Sequence, residues 1–149
     1  MKLEEEIKQK NFRNEYHKLA VNILYTHGWF ANSQASFFKK HGITGSQYNI
    51  LRILRGQYPN PASINLLKDR MLDKLSDASR LVERLLQKDF VDRKVCPGDR
   101  RKVEVVISEK GLKLLEEIDR YNDDADKVFR KLSPEEAKSL NDLLDKMRG

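Results

Sequence analysis

A helical stretch followed by two short β-type runs limits what this chain can fold into more than any other feature. Residues 74–86 have the spacing of a helix with one apolar stripe and one polar face. Residues 91–96 and 102–107 are predicted strands, and the second alternates apolar with polar side chains. Between them lies a tight, charged tip, Pro97-Gly98-Asp99-Arg100-Arg101. A polar-faced helix that leads into a two-stranded ribbon with an arginine tip is typical of a winged DNA-binding module.

A shorter helix before this stretch completes a helix-turn-helix. Ser63 is placed to cap a helix over residues 64–71, because a serine side chain can accept a bond from an amide of the first turn. A turn at residues 72–74 leads into the next helix, about residues 75–88. Two helices joined by so short a turn predict a helix-turn-helix. The outward or marginal positions of the second helix are Ser76, Asp77, Ser79, Arg80, Glu83 and Arg84.

Capping signals predict several other helix ends. Gly42 can supply a left-handed cap that ends a helix, and Thr44 with Gln47 forms a capping box that begins the next one. Ser108 is placed to cap a helix that runs to about residue 131. The strongest local signal is Ser133-Pro134-Glu135-Glu136, which places Ser at the N-cap, Pro at N1 and Glu at N3. A last helix must therefore begin there.

A long helical stretch also precedes the winged unit. Residues 4–40 contain no proline and carry apolar side chains at helical spacing, with a break or bend expected at Gly28. Because this stretch is too long and too apolar for one surface helix of a small monomer, we expect it to contribute to a subunit interface. Trp29, Phe37 and Phe38 could line a ligand cavity or simply belong to the core.

The charge is unevenly distributed along the chain. The net charge is +6, from 29 Lys and Arg against 23 Asp and Glu. Residues 1–67 carry a net charge of +5, residues 68–102 one of +4, and residues 103–149 one of −3. A basic balance suggests a polyanionic partner, although many basic proteins bind no nucleic acid. The acidic, helical C-terminal third is therefore expected to serve dimerisation rather than DNA contact.

Composition also indicates what this protein is not expected to be. No apolar run approaches the roughly 18 residues that span a bilayer, and the acidic N-terminus lacks an apolar signal core. We therefore expect a cytoplasmic protein that does not bind membranes. The single cysteine, Cys96, excludes an internal disulfide and agrees with a reducing compartment. Cys96 is interpreted as a bystander thiol.

Catalytic and metal-binding patterns have little support in the sequence. His17, His27 and His41 have no metal-ligand spacing with Cys, Asp or Glu, so neither a metal nor a cofactor is predicted. No Ser-His-Asp, Cys-His or paired-carboxylate arrangement can be assigned. An enzyme is therefore not expected.

Three motifs at characteristic spacing resemble the MarR family (multiple antibiotic resistance regulators). The first, similar to the end of the recognition helix and the start of a strand, is Leu85-Leu86-Gln87-Lys88-Asp89-Phe90-Val91-Asp92-Arg93. The wing signature is Asp99-Arg100-Arg101, and the strand before the next helix is Val105-Val106-Ile107-Ser108-Glu109-Lys110-Gly111. The resemblance covers about residues 12–148. Asp89 stands where the family usually has glycine, but Asp tolerates a left-handed cap.

The resemblance implies a mostly α fold with a small two- or three-stranded antiparallel wing. Such a winged helix-turn-helix has long N- and C-terminal dimerisation helices. On this interpretation residues 1–149 form one domain, with a DNA-binding lobe over about 44–107 and dimerisation helices over about 4–40 and 108–148. The redox-sensing members carry a cysteine in the first helix. This chain has none there, so redox sensing by that route is not supported.

The resemblance also assigns roles to individual side chains. Arg101 would enter the minor groove, whose concentrated negative potential suits a guanidinium, and Arg100 shares the wing tip. Asp99 would pair with Arg101 and hold it extended. At an arbitrary turn Arg100 and Arg101 could be ordinary solvated charges, but their position after a helix-turn-helix favours contact with DNA. The residues that would face the major groove or its phosphates are Ser76, Ser79, Arg80 and Arg84.

Family members are dimers, and many bind small, often aromatic, anionic ligands. The chain is thus predicted to be a homodimeric transcriptional regulator, and most simply a repressor, of a pseudo-palindromic site in double-stranded DNA. Whether a small aromatic or anionic ligand releases it stays open, and no ligand-binding residues are assigned. The alternative is a winged-helix protein-interaction module without specific DNA binding. The basic surface of the helix-turn-helix argues against that alternative.

Overall fold

The computed structural model describes residues 1–95, 97–99 and 101–149 of the 149-residue chain. This part is mostly helical with a small antiparallel sheet, as predicted. Its elements in chain order are α1 Leu3–Glu6, α2 Glu15–Lys40, α3 Gly45–Gln57, β1 Ala62–Ser63, α4 Ile64–Arg70, α5 Ala78–Gln87, β2 Val91–Val95, β3 Val103–Ile107, α6 Glu109–Asp119, α7 Asn122–Lys127 and α8 Pro134–Arg148.

The sheet has three strands, with β3 between β1 and β2 and all pairs antiparallel. Val105 of β3 lies opposite both Ala62 and Arg93, so it sits at the centre of the sheet. The hairpin of β2 and β3, residues 91–107, is the wing. β1 is the third strand that the sequence left open. It forms because the chain is extended at Ala62 and at the Ser63 cap before α4 begins.

The core lies where α3, α5, β3 and α6 meet. Its fully buried side chains contribute about 1.5–3 kcal/mol each through the apolar area they remove from water. An ion pair also joins α3 to α6, since Arg55 Nη1 lies 2.6 Å from Asp119 Oδ2 and Nη2 lies 3.4 Å from Oδ1. The largest fully buried side chains include Ile50, Leu51, Leu54, Leu67, Leu85, Val105 and Leu115.

The predicted caps are confirmed where the signals are local. The Thr44 hydroxyl accepts from the Gln47 amide at 3.2 Å, and the Gln47 side chain accepts from the Thr44 amide at 3.1 Å. Gly42 has a φ of +73° and Asp89 one of +61°, so both occupy the predicted left-handed caps. Ser133 begins α8 through the same reciprocal capping box. Capping side chains act within one helical turn, so these helix ends could be predicted from the sequence.

The prediction for residues 4–40 is wrong about where the helix breaks. The interruption falls at residues 7–14, and Gly28 lies inside the continuous α2. Asn14 starts α2, because its side chain accepts from the His17 amide at 2.9 Å. A glycine inside a helix costs only about 1 kcal/mol relative to alanine, which a helix of this length tolerates.

The short α1 folds back on α2. Glu4 pairs with Lys18, and the Tyr25 hydroxyl donates to Glu6 at 2.9 Å. The bond from Lys18 lowers the pKa of the Glu4 carboxyl. Leu3 of α1 is buried.

Two other predicted helices begin or end elsewhere. The second helix of the helix-turn-helix begins at Ala78 rather than near residue 75, so Leu75 and Ser76 lie in the turn. The helix that Ser108 caps ends at Asp119 instead of continuing to residue 131. There the amides of residues 120 and 121 bond to carbonyls three residues back, which tightens and ends α6.

Candidate nucleic-acid interface

The outward face of α5 carries exposed polar and basic side chains. Ala78, Val82 and Leu85 are buried against the core at intervals of three and four residues, so one stripe of the helix faces inward. The side chains left exposed on the opposite side are Ser79, Arg80, Glu83 and Arg84. The structure thus leaves three of the four residues predicted for the major groove open on one helix.

The N-terminus of α5 is held by Asp77. Its carboxylate accepts a hydrogen bond from the Arg80 amide at 3.1 Å, which is the geometry of an N-cap. Asp77 is exposed, and its carboxylate complements the helix N-terminus. Ser76 is half-buried and lies just before this cap.

A shallow notch of about 290 Å³ lies beside the start of α5. It brings Ser76, Arg80 and Arg84 together, whereas Ser79 is not among its lining residues. Guanidinium groups next to the first turns of two helices favour a phosphate or another anion. The residues that line the notch are Ser46, Ser76, Asp77, Arg80, Leu81 and Arg84.

Ser46 was not predicted as part of this site. It lies in the first turn of α3, and the sequence marked it only as an interior residue of the Thr44 capping box. The fold brings this turn against α5 although 34 positions separate Ser46 from Arg80 in the sequence. No local pattern reports a contact of that range.

The wing tip is shaped by Asp99. Its carboxylate accepts from the Arg101 amide at 3.0 Å, and its carbonyl accepts from the Lys102 amide at 3.1 Å. In the described part of the chain no ion pair joins the Asp99 and Arg101 side chains. Asp99 therefore holds the main chain of Arg101, which corrects the predicted side-chain pairing. Arg101 is exposed. Arg100 and Cys96 lie outside the described residues.

An ion pair connects the wing to α5. Arg93 Nη2 on β2 lies 2.8 Å from Glu83 Oε2 on α5, and both side chains are about half exposed. Glu83 is the acidic side chain on the outward face of α5, so the pair neutralises it beside Arg80 and Arg84. This pair could not be predicted from the sequence, because its partners lie on two elements that only the fold brings together.

The junction between α5 and β2 is closely packed. The Ser108 hydroxyl donates to the Asp89 carbonyl at 2.7 Å, and the Lys110 ammonium donates to the Lys88 carbonyl at 2.9 Å. A Cβ on Gly111 would lie only 2.3 Å from the Phe90 carbonyl oxygen, so a glycine is required there. This close approach fixes the direction in which the wing leaves α5.

The described residues lack two further features that would bear on function. Over residues 1–95, 97–99 and 101–149, no three His, Cys, Asp or Glu side chains come together as they would around a metal ion. In the same ranges, no helix combines the length and the apolar content needed to cross a membrane.

Comparisons with known proteins agree with this geometry. Residues 41–102 match the model of the MarR family, a segment that runs from the end of α2 to the wing. The HTH-type transcriptional regulator MhqR of Bacillus subtilis (strain 168) is 30% identical over 111 residues, which cover 72% of this chain and 74% of that protein.

Solved structures give the same fold. A mutant MarR from E. coli, complexed with operator DNA, superposes with a TM-score of 0.81 at 23% identity and covers 93% of this chain and 99% of its own. The organohalide-sensing regulator RdhR, in its 2,4-dichlorophenol-bound form, gives a TM-score of 0.83 at 17% identity, over 94% of this chain and 85% of its own. The architecture, the family model and the similarity to MhqR agree, and the chain belongs to the MarR family of DNA-binding transcriptional regulators.

Proposed function

We propose that this protein is a repressor that binds a pseudo-palindromic operator as a homodimer and is released by a small aromatic or anionic ligand. The observation that carries the proposal is the exposed basic face of α5, joined to the wing by Arg93 and Glu83. Because its partner is double-stranded DNA, the proposed site of action is the cytoplasm.

In the proposed complex, α5 enters the major groove. A ten-residue helix is about 15 Å long, and the major groove of B-DNA admits an α-helix. Arg80 and Arg84 suit guanine edges or phosphates, since a guanidinium can donate two parallel hydrogen bonds. Ser76 and Ser79 add short donors at the same end of the helix.

The wing reaches the adjacent minor groove in this proposal. Asp99 stiffens the turn through the Arg101 amide, and the exposed Arg101 side chain is left to enter the groove together with Arg100. A narrow minor groove concentrates negative potential, so an arginine there stabilises the complex without reading many base edges.

The dimer is proposed from apolar side chains that the lone protomer leaves exposed. In the described structure α8 has no buried residue, yet Leu140, Leu143 and Met147 share one face and are each about half exposed. On α2, Leu24 and Trp29 are similarly exposed. Apolar faces of this kind mark protein–protein interfaces. A two-fold dimer would present its two α5 helices about 34–36 Å apart, one helical turn of DNA.

The ligand is proposed to bind between the dimer helices and the DNA-binding lobe. At this junction the centroid of the Phe37 ring lies 4.6 Å from that of the His41 ring and 5.3 Å from that of the Tyr121 ring. Tyr121 is 45% exposed, so one ring of this aromatic cluster is accessible from solvent. RdhR was solved with 2,4-dichlorophenol bound, a small aromatic ligand of the class proposed here. A ligand releases the protein only through its greater affinity for the form that does not fit DNA.

Selection from a random DNA library, followed by binding at several salt concentrations, tests the DNA-binding proposal. We expect an enriched inverted repeat and an affinity that falls steeply with salt, because phosphate contacts release counterions. Arg84→Ala should weaken binding to every sequence and flatten the salt dependence by about one unit of slope. Lys113→Ala on α6, which removes an exposed charge outside the interface, is the control. Failure to enrich any sequence would favour the protein-interaction alternative.

A further inference from the structure

Two leucines in the turn before α5 are almost fully exposed. The segment of residues 71–77, here called the entry loop, joins α4 to α5. Leu72 in this loop is 87% exposed and Leu75 is 96% exposed. Leu75 directly precedes Ser76, which lines the notch beside Arg80 and Arg84. An apolar side chain this exposed, at the edge of a polar binding surface, is unexplained by the core or by the helix-turn-helix itself.

Hydrogen bonds hold the entry loop in a defined conformation. The Asp73 carboxylate accepts from the Leu75 amide at 3.0 Å, and its carbonyl accepts from the Ser76 amide at 3.3 Å. The Leu72 amide donates to the Asn49 side chain of α3 at 2.9 Å. Lys74 also bonds to the Asp69 carbonyl. Leu75 therefore lies in an ordered turn. When it contacts a partner, the loop backbone loses little further conformational entropy.

The charges around Leu75 indicate what it contacts. Lys74 is its neighbour in the loop, and Arg80 and Arg84 lie on the helix that follows. The nearby acids are engaged locally, since Asp73 accepts from Leu75 and Asp77 accepts from the Arg80 amide. A leucine among cations suits an anionic partner better than an apolar protein surface. In the major groove, the C5-methyl group of thymine is the apolar group that a protein can contact.

We propose that Leu75 packs against the C5-methyl group of a thymine in each half-site and so makes binding depend on thymine at that position. This inference rests on the proposed function and adds a specificity-determining residue outside the helix. Burying one methyl group changes affinity by about fourfold, which corresponds to roughly 0.8 kcal/mol. The effect is expected in both half-sites of a symmetric operator.

Replacement of thymine by deoxyuridine tests the proposal, because it removes only the methyl group. Each thymine pair of the selected operator is replaced in turn, and affinity is measured by fluorescence anisotropy for the wild type, Leu75→Ala and Leu72→Ala. We expect one symmetric thymine pair whose replacement weakens wild-type binding about fourfold per half-site. The same replacement should leave Leu75→Ala unaffected. Leu72→Ala, an equally exposed leucine of the same loop, should keep the wild-type response.

Four results would overturn the proposal, and the first three concern DNA binding. They are no thymine whose methyl group matters, the same methyl profile in the wild type and Leu75→Ala, or loss of the response in Leu72→Ala alone. A fourth would be unchanged DNA binding by Leu75→Ala with impaired control of transcription in vitro, since the leucine would then meet a protein. Failure to enrich any DNA sequence defeats the proposed function itself, so the two failures can be told apart.

Discussion

The guanidinium of Arg93 lies 2.8 Å from the carboxylate of Glu83, and this pair links the wing to the outward face of α5. Both side chains are about half exposed, so the pair contributes at most about 1 kcal/mol to folding. Its greater consequence is electrostatic. In the proposed complex, it neutralises the carboxylate that would otherwise face phosphates beside Arg80 and Arg84.

Arg93→Gln is expected to weaken DNA binding more than it weakens folding. The substitution leaves Glu83 unpaired on the surface proposed to meet phosphates, so like charges would oppose each other in the complex. The double variant Arg93→Gln with Glu83→Gln removes that charge and should recover part of the lost affinity. Titrations of labelled operator at one salt concentration measure both variants. Equal affinities for the single and the double variant would show that Glu83 does not face DNA.

Arg101→Ala is expected to weaken specific binding by about 1–3 kcal/mol, the range for a good groove contact. The fold should be unaffected, because Asp99 bonds to the Arg101 main chain and that bond survives the substitution. Binding to the selected operator and a thermal melt measure the two quantities. Lys113→Ala serves as a charge-matched control on α6. An unchanged affinity at matched salt would contradict the proposed role of the wing.

Gly111→Ala is expected to lower the free energy of unfolding by about 1–3 kcal/mol, the usual cost of overpacking. The added Cβ would meet the Phe90 carbonyl oxygen at 2.3 Å and the Ile107 side chain at 2.7 Å, where the wing leaves α5. Gly56→Ala in α3 is the control, because its Cβ meets nothing within 4 Å. That change should be neutral or stabilising. Denaturant unfolding compares the two, and equal stabilities would show that the junction can yield.

Leu143→Asp is expected to convert a dimer into monomers and to abolish tight operator binding. The new charge falls on the apolar face of α8 formed by Leu140, Leu143 and Met147. A partner helix packed there would have to desolvate that charge. Asn141→Asp adds the same charge on the far side of the helix and should leave the dimer intact. Sedimentation velocity measures the assembly state. A Leu143→Asp protein that still sediments as a dimer would place the interface elsewhere.

The parts of the fold that could be predicted from sequence depend on short-range signals. Thr44, Ser133 and Asp89 act within one turn of the chain, and their caps are confirmed. The start of α5 was misplaced by three residues. Leu75 fits the helical spacing, but local bonds to Asp73 compete with the helix there. Hydrophobic periodicity alone does not detect such competition.

The outward positions of α5 could be predicted from the sequence, but the arrangement of the candidate site could not. Arg80 and Arg84 were predicted from their helical spacing, and both side chains are exposed, while their contact with DNA stays a prediction. Ser46 and the Arg93–Glu83 pair were missed, because each depends on elements that pack together only in the folded chain. Asp99 was predicted to support the wing through the Arg101 side chain. Its bond goes to the Arg101 amide, which only the turn geometry reveals.

In the proposed complex, two copies of α5 read two half-sites on one face of the DNA. The most direct measurement is the affinity for the selected operator and for a version with five base pairs inserted between its half-sites. The insertion turns one half-site by about half a helical turn. We predict that the insertion lowers the affinity at least about 100-fold, towards the affinity for unrelated DNA. Equal affinity for both spacings would rule out paired reading of the half-sites, since each protomer would then bind on its own.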